Sequence, residues 1–171
     1  MRKSWTVIGA LALVWLTVLP AFADVTDYLG PGQKPARCPK TIVVRPELSQ
    51  SNVIYSIDSS DLETASNMIG STVANKYEGA SVISAKDLDQ YRVCNVPVVL
   101  AKLKSYTTEP AIFGQHEGKA TVTILHFASS NASDPDKEFE ISATGERHWG
   151  DDVPFMNAVR AVCDKIQTTS F

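Results

Sequence analysis

Two strands joined by a polar turn are predicted within residues 119–147, KATVTILHFASSNASDPDKEFEISATGER. Apolar and polar side chains alternate along the second strand, with Phe139, Ile141 and Ala143 set against Glu138, Glu140 and Ser142. Successive side chains of a strand point to opposite faces, so this alternation is typical of a sheet with one face in the core and one in water. The polar run 129–136 predicts the turn, and the whole stretch therefore indicates an antiparallel hairpin.

A third strand is predicted immediately before this hairpin, at residues 96–106, VPVVLAKLKSY. Its alternation predicts two faces, one in the core and one in water: Val99, Ala101 and Leu103 against Lys102, Lys104 and Tyr106. The run FGQHEG, residues 113–118, predicts the turn into the next strand. The three strands together form an antiparallel meander.

The clearest helix is predicted at residues 61–77, DLETASNMIGSTVANKY, where apolar residues recur at helical spacing. Ser60 can cap its free N–H groups, and Glu63 would complete a capping box. Gly79 is the expected terminator, because glycine accepts the left-handed conformation without strain.

A second main helix is predicted at residues 152–168, near the end of the chain. Asp151 or Asp152 would cap it, and Pro154 is tolerated in a first turn. Its apolar stripe consists of Phe155, Ala158, Val159, Val162 and Ile166. Both helices therefore have one face suited to covering a sheet.

Three shorter elements precede the meander: a strand at TIVVRPEL (41–48), a buried strand at ASVIS (80–84) and a short helix at AKDLDQYR (85–92), capped by Ser84. The resulting order predicts one α+β domain over residues 41–171. We expect a two-layer sandwich, in which one mixed sheet containing the meander carries both main helices on one face.

The first 23 residues have the features of a secretory signal: Arg2 and Lys3, an apolar run, and Ala-Phe-Ala before residue 24. We predict cleavage between Ala23 and Asp24, with an uncleaved membrane anchor as the alternative. No cysteine follows the run closely, which argues against a lipid anchor. Residues 24–40 are rich in proline and glycine and indicate an irregular arm. The expected location is periplasmic or secreted.

Cleavage would leave 148 residues, with 14 basic and 19 acidic side chains and a net charge of −5. A mildly acidic chain without basic clusters argues against nucleic acid and anionic lipid as partners. No later stretch has the length of a membrane span, so we expect no membrane insertion of the mature chain.

The element order resembles that of the periplasmic TolB amino-terminal, CsgG and LpoB-like domains. The pieces that carry the resemblance are TIVVRPEL, DLETASNMIGSTVANKY, GASVISAKDL, VPVVLAKLKSY, ATVTILHF, EFEISATGER and FMNAVRAVCDKI, which span most of residues 40–168. The resemblance implies this fold and a role in protein contacts within the cell envelope. The chain departs from many members in lacking a lipidation cysteine and a second domain, and no functional residue of the family transfers to it.

Cys38, Cys94 and Cys163 allow one disulfide, which an oxidising compartment favours. Cys38 and Cys94 each precede a predicted strand, and parallel strands would place them at the same end of the sheet. We therefore expect Cys38–Cys94, with Cys94–Cys163 as the alternative because the final helix can return to that end. Closing a loop of about 55 residues stabilises a fold by roughly 4 kcal/mol.

The histidines, His116, His126 and His148, lack the spacing of a metal motif, although a meander could bring His126 near His148, with Glu117 and Glu146 as companions. Solvated histidines are the alternative. The chain has no C-x-x-C, G-x-S-x-G, G-x-G-x-x-G or P-loop, so we expect no enzyme and no cofactor.

The connection RHWGDDVPF, residues 147–155, holds Trp149, the only tryptophan after the predicted cleavage site. It would either plug the core under the final helix, the interpretation we favour, or anchor a partner. Trp149, His148 and Tyr106 form the candidate binding surface. The sequence therefore favours a non-enzymatic periplasmic accessory or adaptor protein of the bacterial envelope, with an unidentified envelope protein as partner. The alternative is a periplasmic small-ligand or metal-binding protein.

Overall fold

The computed structural model describes residues 35, 37–49, 57–110, 114–149 and 152–171. Its strands are β1 (Thr41–Val44), β2 (Ala80–Ile83), β3 (Val98–Pro110), β4 (His116–Phe127) and β5 (Lys137–Thr144). Its helices are α1 (Ser59–Ala74), a 3₁₀ segment (Ala85–Cys94) and α2 (Asp152–Thr168). The predicted signal peptide, its cleavage site at Ala23 and Asp24, and nearly all of the arm lie outside the described residues.

The five strands form one mixed sheet in the order β2-β1-β3-β4-β5. β1 runs parallel to both β2 and β3, whereas β4 is antiparallel to both β3 and β5. The predicted α+β fold, with a mixed sheet and a three-stranded meander, is therefore confirmed. Within the described part of the chain, no helix is long and apolar enough to cross a membrane.

Both main helices cover one face of the sheet and contact each other. The core between the two layers is dominated by aliphatic side chains; fully buried examples are Val43, Val99, Val122 and Ile124 from the sheet, Ile69 and Val73 from α1, and Phe155, Val159, Val162 and Ile166 from α2. The apolar stripe predicted for α2 is thus the side that packs on the sheet.

The 3₁₀ segment covers the opposite face at the parallel half of the sheet. A second cluster forms there around Ile42, Val44, Ile83, Tyr91 and Val98. This half is buried on both faces, as its nearly continuous apolar strands require. On the meander half, Lys102, Lys104, Glu138 and Glu140 are exposed on that same face, as predicted.

The start of α1 differs from the prediction, because Asp58 and not Ser60 caps it. The Asp58 carboxylate accepts hydrogen bonds from the Ser60 N–H at 2.9 Å and the Ser60 hydroxyl at 3.1 Å. These bonds lower the pKa of Asp58, and the charged oxygen displaces the expected Ser60–Glu63 capping box. At the other end the helix stops at Ala74, before the predicted terminator.

Tyr106 is buried, with 2% exposure, although its predicted side of β3 was the wet one. The pairing with β4 shifts register between Leu103 and Ser105, so one extra residue enters β3. A bulge of this kind moves every later side chain to the other face. Tyr106 consequently points into the core, where its ring meets Phe155 edge-on at 5.0 Å.

Several boundaries also differ from the prediction. The first strand ends at Val44 and not at residue 48, and β4 already begins at His116, inside the predicted turn 113–118. Ser84 precedes the 3₁₀ segment without capping its backbone, because its hydroxyl donates to the Asp87 carboxylate at 2.7 Å. The predicted cap at Asp151 lies outside the described residues.

Two glycines let α2 lie directly on the sheet. The Gly145 N–H donates to the Gly118 carbonyl at 2.9 Å, so the two face each other across the ends of β4 and β5. A Cβ on Gly118 would lie 2.4 Å from the Pro154 oxygen, and one on Gly145 would lie 2.3 Å from the Ala158 nitrogen. This contact fixes the first turns of α2 beside the end of the β3–β4 hairpin.

Candidate functional site

The chain beyond β5 continues alongside β4 as far as His116, at the end of the β3–β4 hairpin. The His116 N–H donates to the His148 carbonyl at 2.8 Å, and the His148 N–H donates to the His116 carbonyl at 3.0 Å. Such a doubly bonded pair holds residues 145–148 against the first residues of β4. The backbone that leads into Trp149 is therefore anchored.

Trp149 lies at the surface, with 59% of its side chain exposed. The interpretation favoured from sequence, a plug beneath the final helix, is therefore wrong. The indole rests against the hairpin turn, where a Cβ on Gly114 would lie 3.2 Å from the ring. The His148 Nδ1 is 2.8 Å from the Trp149 carbonyl oxygen, which joins the two neighbouring residues locally.

A second exposed apolar side chain lies four residues after Trp149 in the chain. Val153, in the first turn of α2, is 38% exposed, and the adjacent Pro154 lies against Gly118 of β4. We use the name hairpin-end surface for Gly114, His116, His148, Trp149 and Val153. The sequence analysis did not predict Val153 as a surface residue. The available signal was its position outside the apolar stripe of α2, which indicates an apolar side chain that does not pack on the sheet.

Charged groups border the hairpin-end surface. Arg147 Nε and Glu117 Oε2 are 3.6 Å apart, an exposed ion pair of small energetic value. The Glu146 carbonyl accepts a hydrogen bond from the Asn157 side chain at 3.1 Å, which ties the connection to α2.

Tyr106, the third predicted member of the binding surface, does not belong to it. Its ring is buried against Phe155 on the helix side of the sheet. Trp149 and His148 are the two predicted members that the structure brings together at the surface.

His126 lies at the opposite end of β4 from His116, which pairs with His148, so the meander does not bring His126 near His148. About ten residues of strand, at roughly 3.3 Å each, separate it from His116. Its Nδ1 is 2.8 Å from the Asp136 carboxylate, and its ring stacks on Tyr77 at 6.2 Å between centroids. The hydrogen bond from His126 lowers the pKa of Asp136.

Among the described residues, no group of three or more histidine, cysteine, aspartate or glutamate side chains is arranged to hold a metal ion. His116 and His148 lie opposite each other on paired strands. Of the two proposed companions, Glu117 pairs through its carboxylate with Arg147.

A disulfide joins Cys38 and Cys94, the pairing expected first. The reasoning behind it also holds, because β1 and β3 are parallel and both cysteines precede them at the same end. Cys163 is not disulfide-bonded and is 4% exposed between the helices. Burial raises the pKa of the Cys163 thiol, although the Thr72 hydroxyl opposes that shift.

A shallow groove also follows the outer side of α1 and opens to solvent. Its lining comes from α1 and the residue after it: Thr64, Asn67, Met68, Ser71, Thr72 and Asn75. Among the described residues that line it, none is ionisable and none comes from a second element. The hairpin-end surface, where three segments converge on an exposed aromatic ring, is the better candidate site.

No family model matches the chain, and no curated protein matches it in sequence. Among solved structures, the chain is similar to the PelC dodecamer from Paraburkholderia phytofirmans, with 16% identity over 78% of this chain and 90% of that one, at a TM-score of 0.44. It is similar to lipoprotein GNA1162 from Neisseria meningitidis, with 20% identity, coverage of 77% and 100%, and a TM-score of 0.40. It is also similar to protein XCC0632 from Xanthomonas campestris, of family DUF330, with 9% identity over 84% of this chain and 87% of that one, at a TM-score of 0.37. Likeness at this level carries no argument about function.

Proposed function

We propose that this chain is an accessory protein of the bacterial cell envelope that binds another envelope protein through its hairpin-end surface. The observation that carries the proposal is Trp149, whose side chain is 59% exposed on a backbone anchored by the His116–His148 pair. An aromatic ring held in water on an ordered support is available for a partner without a large ordering cost.

The free energy that Trp149 could contribute to binding is large enough for an interface anchor. A tryptophan can bury up to about 250 Å², and covering the exposed share of Trp149 at about 25 cal/mol per Å² would contribute at most roughly 4 kcal/mol. Val153, four residues further along the chain, is a second exposed apolar side chain. Tryptophan is also among the residues most enriched at the energetic centre of interfaces.

The envelope location rests on the predicted signal peptide, which ends at Ala23. Secretion would place the mature chain in the periplasm or outside the cell, where the Cys38–Cys94 disulfide is favoured. The resemblance to TolB amino-terminal, CsgG and LpoB-like domains supports the same compartment and a role in protein contacts.

The test is co-purification of the tagged chain after in-cell crosslinking, comparing wild type with Trp149→Ala. Val93→Ala is the matched control, since Val93 is 61% exposed on the 3₁₀ segment, away from the proposed surface. We expect the dominant partner to be lost with Trp149→Ala and retained with Val93→Ala, while both variants keep the wild-type melting temperature. Equal recovery of the partner with Trp149→Ala would contradict the proposal.

Metal binding is the second candidate function. It is favoured because His116 and His148 are directly opposite each other in an antiparallel bridge. Two imidazoles on one side of paired strands can supply half of a tetrahedral zinc site, with water or a partner residue completing it. Calorimetric titration with Zn²⁺ and Cu²⁺ tests this against His116→Ala, with His126→Ala as control. Binding weaker than millimolar in the wild type would remove this candidate.

A further inference from the structure

β5 is the last strand of the sheet, and no described strand pairs with its outer side. An edge strand of eight residues presents backbone N–H and C=O groups to which another strand can bond. The groups that point outward, and the contacts they already make, determine what can pair there.

Two independent hydrogen bonds identify the outward-facing residues of β5. The Gly145 N–H donates to Gly118 of β4, and antiparallel strands direct alternate residues to the same neighbour. The odd-numbered residues therefore bond to β4, and the even-numbered ones face outward. Consistently, the Ser142 carbonyl accepts a hydrogen bond at 2.9 Å from Lys165 of α2, which reaches it from outside the ladder. The outward-facing residues are Glu138, Glu140, Ser142 and Thr144.

We propose that β5 pairs antiparallel with β5 of a second copy of this chain, about a two-fold axis at Ile141, and that Lys165 controls how readily it does so. The pairing would join two five-stranded sheets into one continuous sheet. It is separate from the hairpin-end surface and stands whether or not that surface binds a partner.

The side chains of β5 are complementary to themselves in this register. With the axis at Ile141, Glu140 lies opposite Ser142 of the second copy and Glu138 opposite Thr144, so no like charges meet. On the helix side, the large Phe139 lies opposite the small Ala143.

The neighbouring registers are less favourable. Moving the axis to residue 140 sets Glu140 against its own copy, and moving it to residue 142 sets Glu138 against Glu146. Like charges directly opposite each other destabilise a strand pair. Charge therefore selects the axis at Ile141 from among the three.

Lys165 competes with the second copy for one backbone group. In the proposed pair the Ser142 carbonyl accepts from the Glu140 N–H of the second copy, but in the single chain it accepts from Lys165. Lysine side chains commonly protect sheet edges in this way. Removing the Lys165 ammonium should therefore strengthen the pairing.

The first experiment measures molar mass by sedimentation equilibrium as a function of concentration, on the chain from Asp24 with its disulfide intact. We expect a reversible monomer–dimer equilibrium that Lys165→Gln tightens about fivefold and Ser142→Glu, which meets Glu140 of the second copy twice, weakens about tenfold. Ser133→Glu is the matched control, because it adds the same charge in an exposed turn.

Ser142→Pro provides a second variant that leaves the β4 ladder intact, since the N–H it removes faces outward. We expect it to abolish the dimer while circular dichroism and melting remain near those of the wild type. If it unfolds the chain, Ser142→Glu still decides the question. Wild type and Lys165→Gln that both remain monomeric up to about 0.5 mM, or species larger than a dimer, would overturn the proposal.

The register is tested by oxidising introduced cysteines to a disulfide, which forms only where the two Cα atoms lie within about 7 Å, as directly opposite residues do and diagonal ones do not. Glu140→Cys and Ser142→Cys, mixed, should give a covalent dimer, whereas each variant alone should not. A dimer formed by Glu140→Cys alone or Ser142→Cys alone would place the axis elsewhere and contradict the self-complementary register.

Discussion

At the scale of single residues, the bond between His126 and Asp136 makes the β4–β5 turn sensitive to acid. The hydrogen bond from the His126 ring, at 2.8 Å, holds the pKa of Asp136 below its usual range. A carboxyl whose pKa is lower in the folded state stabilises the fold above its unfolded pKa. That contribution is lost as the pH falls through the folded value.

We therefore predict that Asp136→Asn is less stable than wild type at pH 5–7 and that the difference shrinks below about pH 4. Urea unfolding of both proteins from pH 3 to pH 7 measures it. Asp134→Asn is the control, since Asp134 lies in the same turn and its carboxylate accepts a hydrogen bond from the neighbouring Ser133. A pH-independent difference between Asp136→Asn and wild type would show that the His126 bond does not stabilise the turn.

The burial of single residues was predicted correctly where the alternation of apolar and polar side chains determines it. The prediction was wrong where a bulge or a contact between distant segments changes which way a side chain faces. The alternation in β5 placed Ile141 correctly in the core. The same reasoning misplaced Tyr106, because a bulge after Leu103 has no signature in the apolar pattern. The exposure of Trp149 depends on the His116–His148 pair, a contact between segments about thirty residues apart that local sequence does not encode.

At the scale of elements, the position of α2 depends on the absence of side chains at Gly118 and Gly145. A Cβ on Gly145 would lie 2.3 Å from the Ala158 nitrogen and 2.4 Å from the Asn157 carbonyl carbon, both of them backbone atoms. The helix would have to move away from the sheet, and with it the side chains that fill the core.

Gly145→Ala is predicted to cost about 1–3 kcal/mol of unfolding free energy through this steric conflict. Thr144→Ala, at the adjacent exposed position, should cost less than about 0.5 kcal/mol. Denaturant unfolding followed by far-UV circular dichroism compares the two. Equal stability of Gly145→Ala and wild type would mean that α2 does not contact the sheet this closely.

The existence and order of the elements could be predicted because each has its own period and its own turn residues. The ends of the elements could not be predicted, because the groups that compete to cap or extend an element lie outside it. Asp58 takes the cap position expected of Ser60, since the carboxylate two residues earlier accepts from the Ser60 N–H. The close approach of α2 to Gly145 depends on two elements packing together, so the local sequence pattern of either element could not predict it.

At the scale of the whole molecule, the two halves of the sheet are stabilised differently. The meander half is covered by α2 on one face and leaves charged side chains in water on the other. The parallel half is buried on both faces, and the Cys38–Cys94 disulfide joins the chain before β1 to the end of the 3₁₀ segment. The disulfide closes a loop that contains β1, α1 and β2.

Replacing both Cys38 and Cys94 by serine is predicted to cost about 4 kcal/mol, the value for a loop of this length in the chain-entropy model. Cys163→Ala is the control: it keeps the disulfide and should cost about 1 kcal/mol from the loss of a buried sulfur. Thermal unfolding of the three proteins measures both effects. A double variant as stable as wild type would show that the parallel half does not depend on the disulfide.

The central claim is that the hairpin-end surface binds an envelope protein. The most direct measurement places a photo-reactive amino acid at Val153, beside Trp149, and at Val93 as control, and irradiates cells expressing each protein. The account predicts one strong crosslinked species from position 153 that disappears when Trp149→Ala is added, and none from position 93. The same crosslinked species from both positions, or one from position 153 that persists without Trp149, would contradict it.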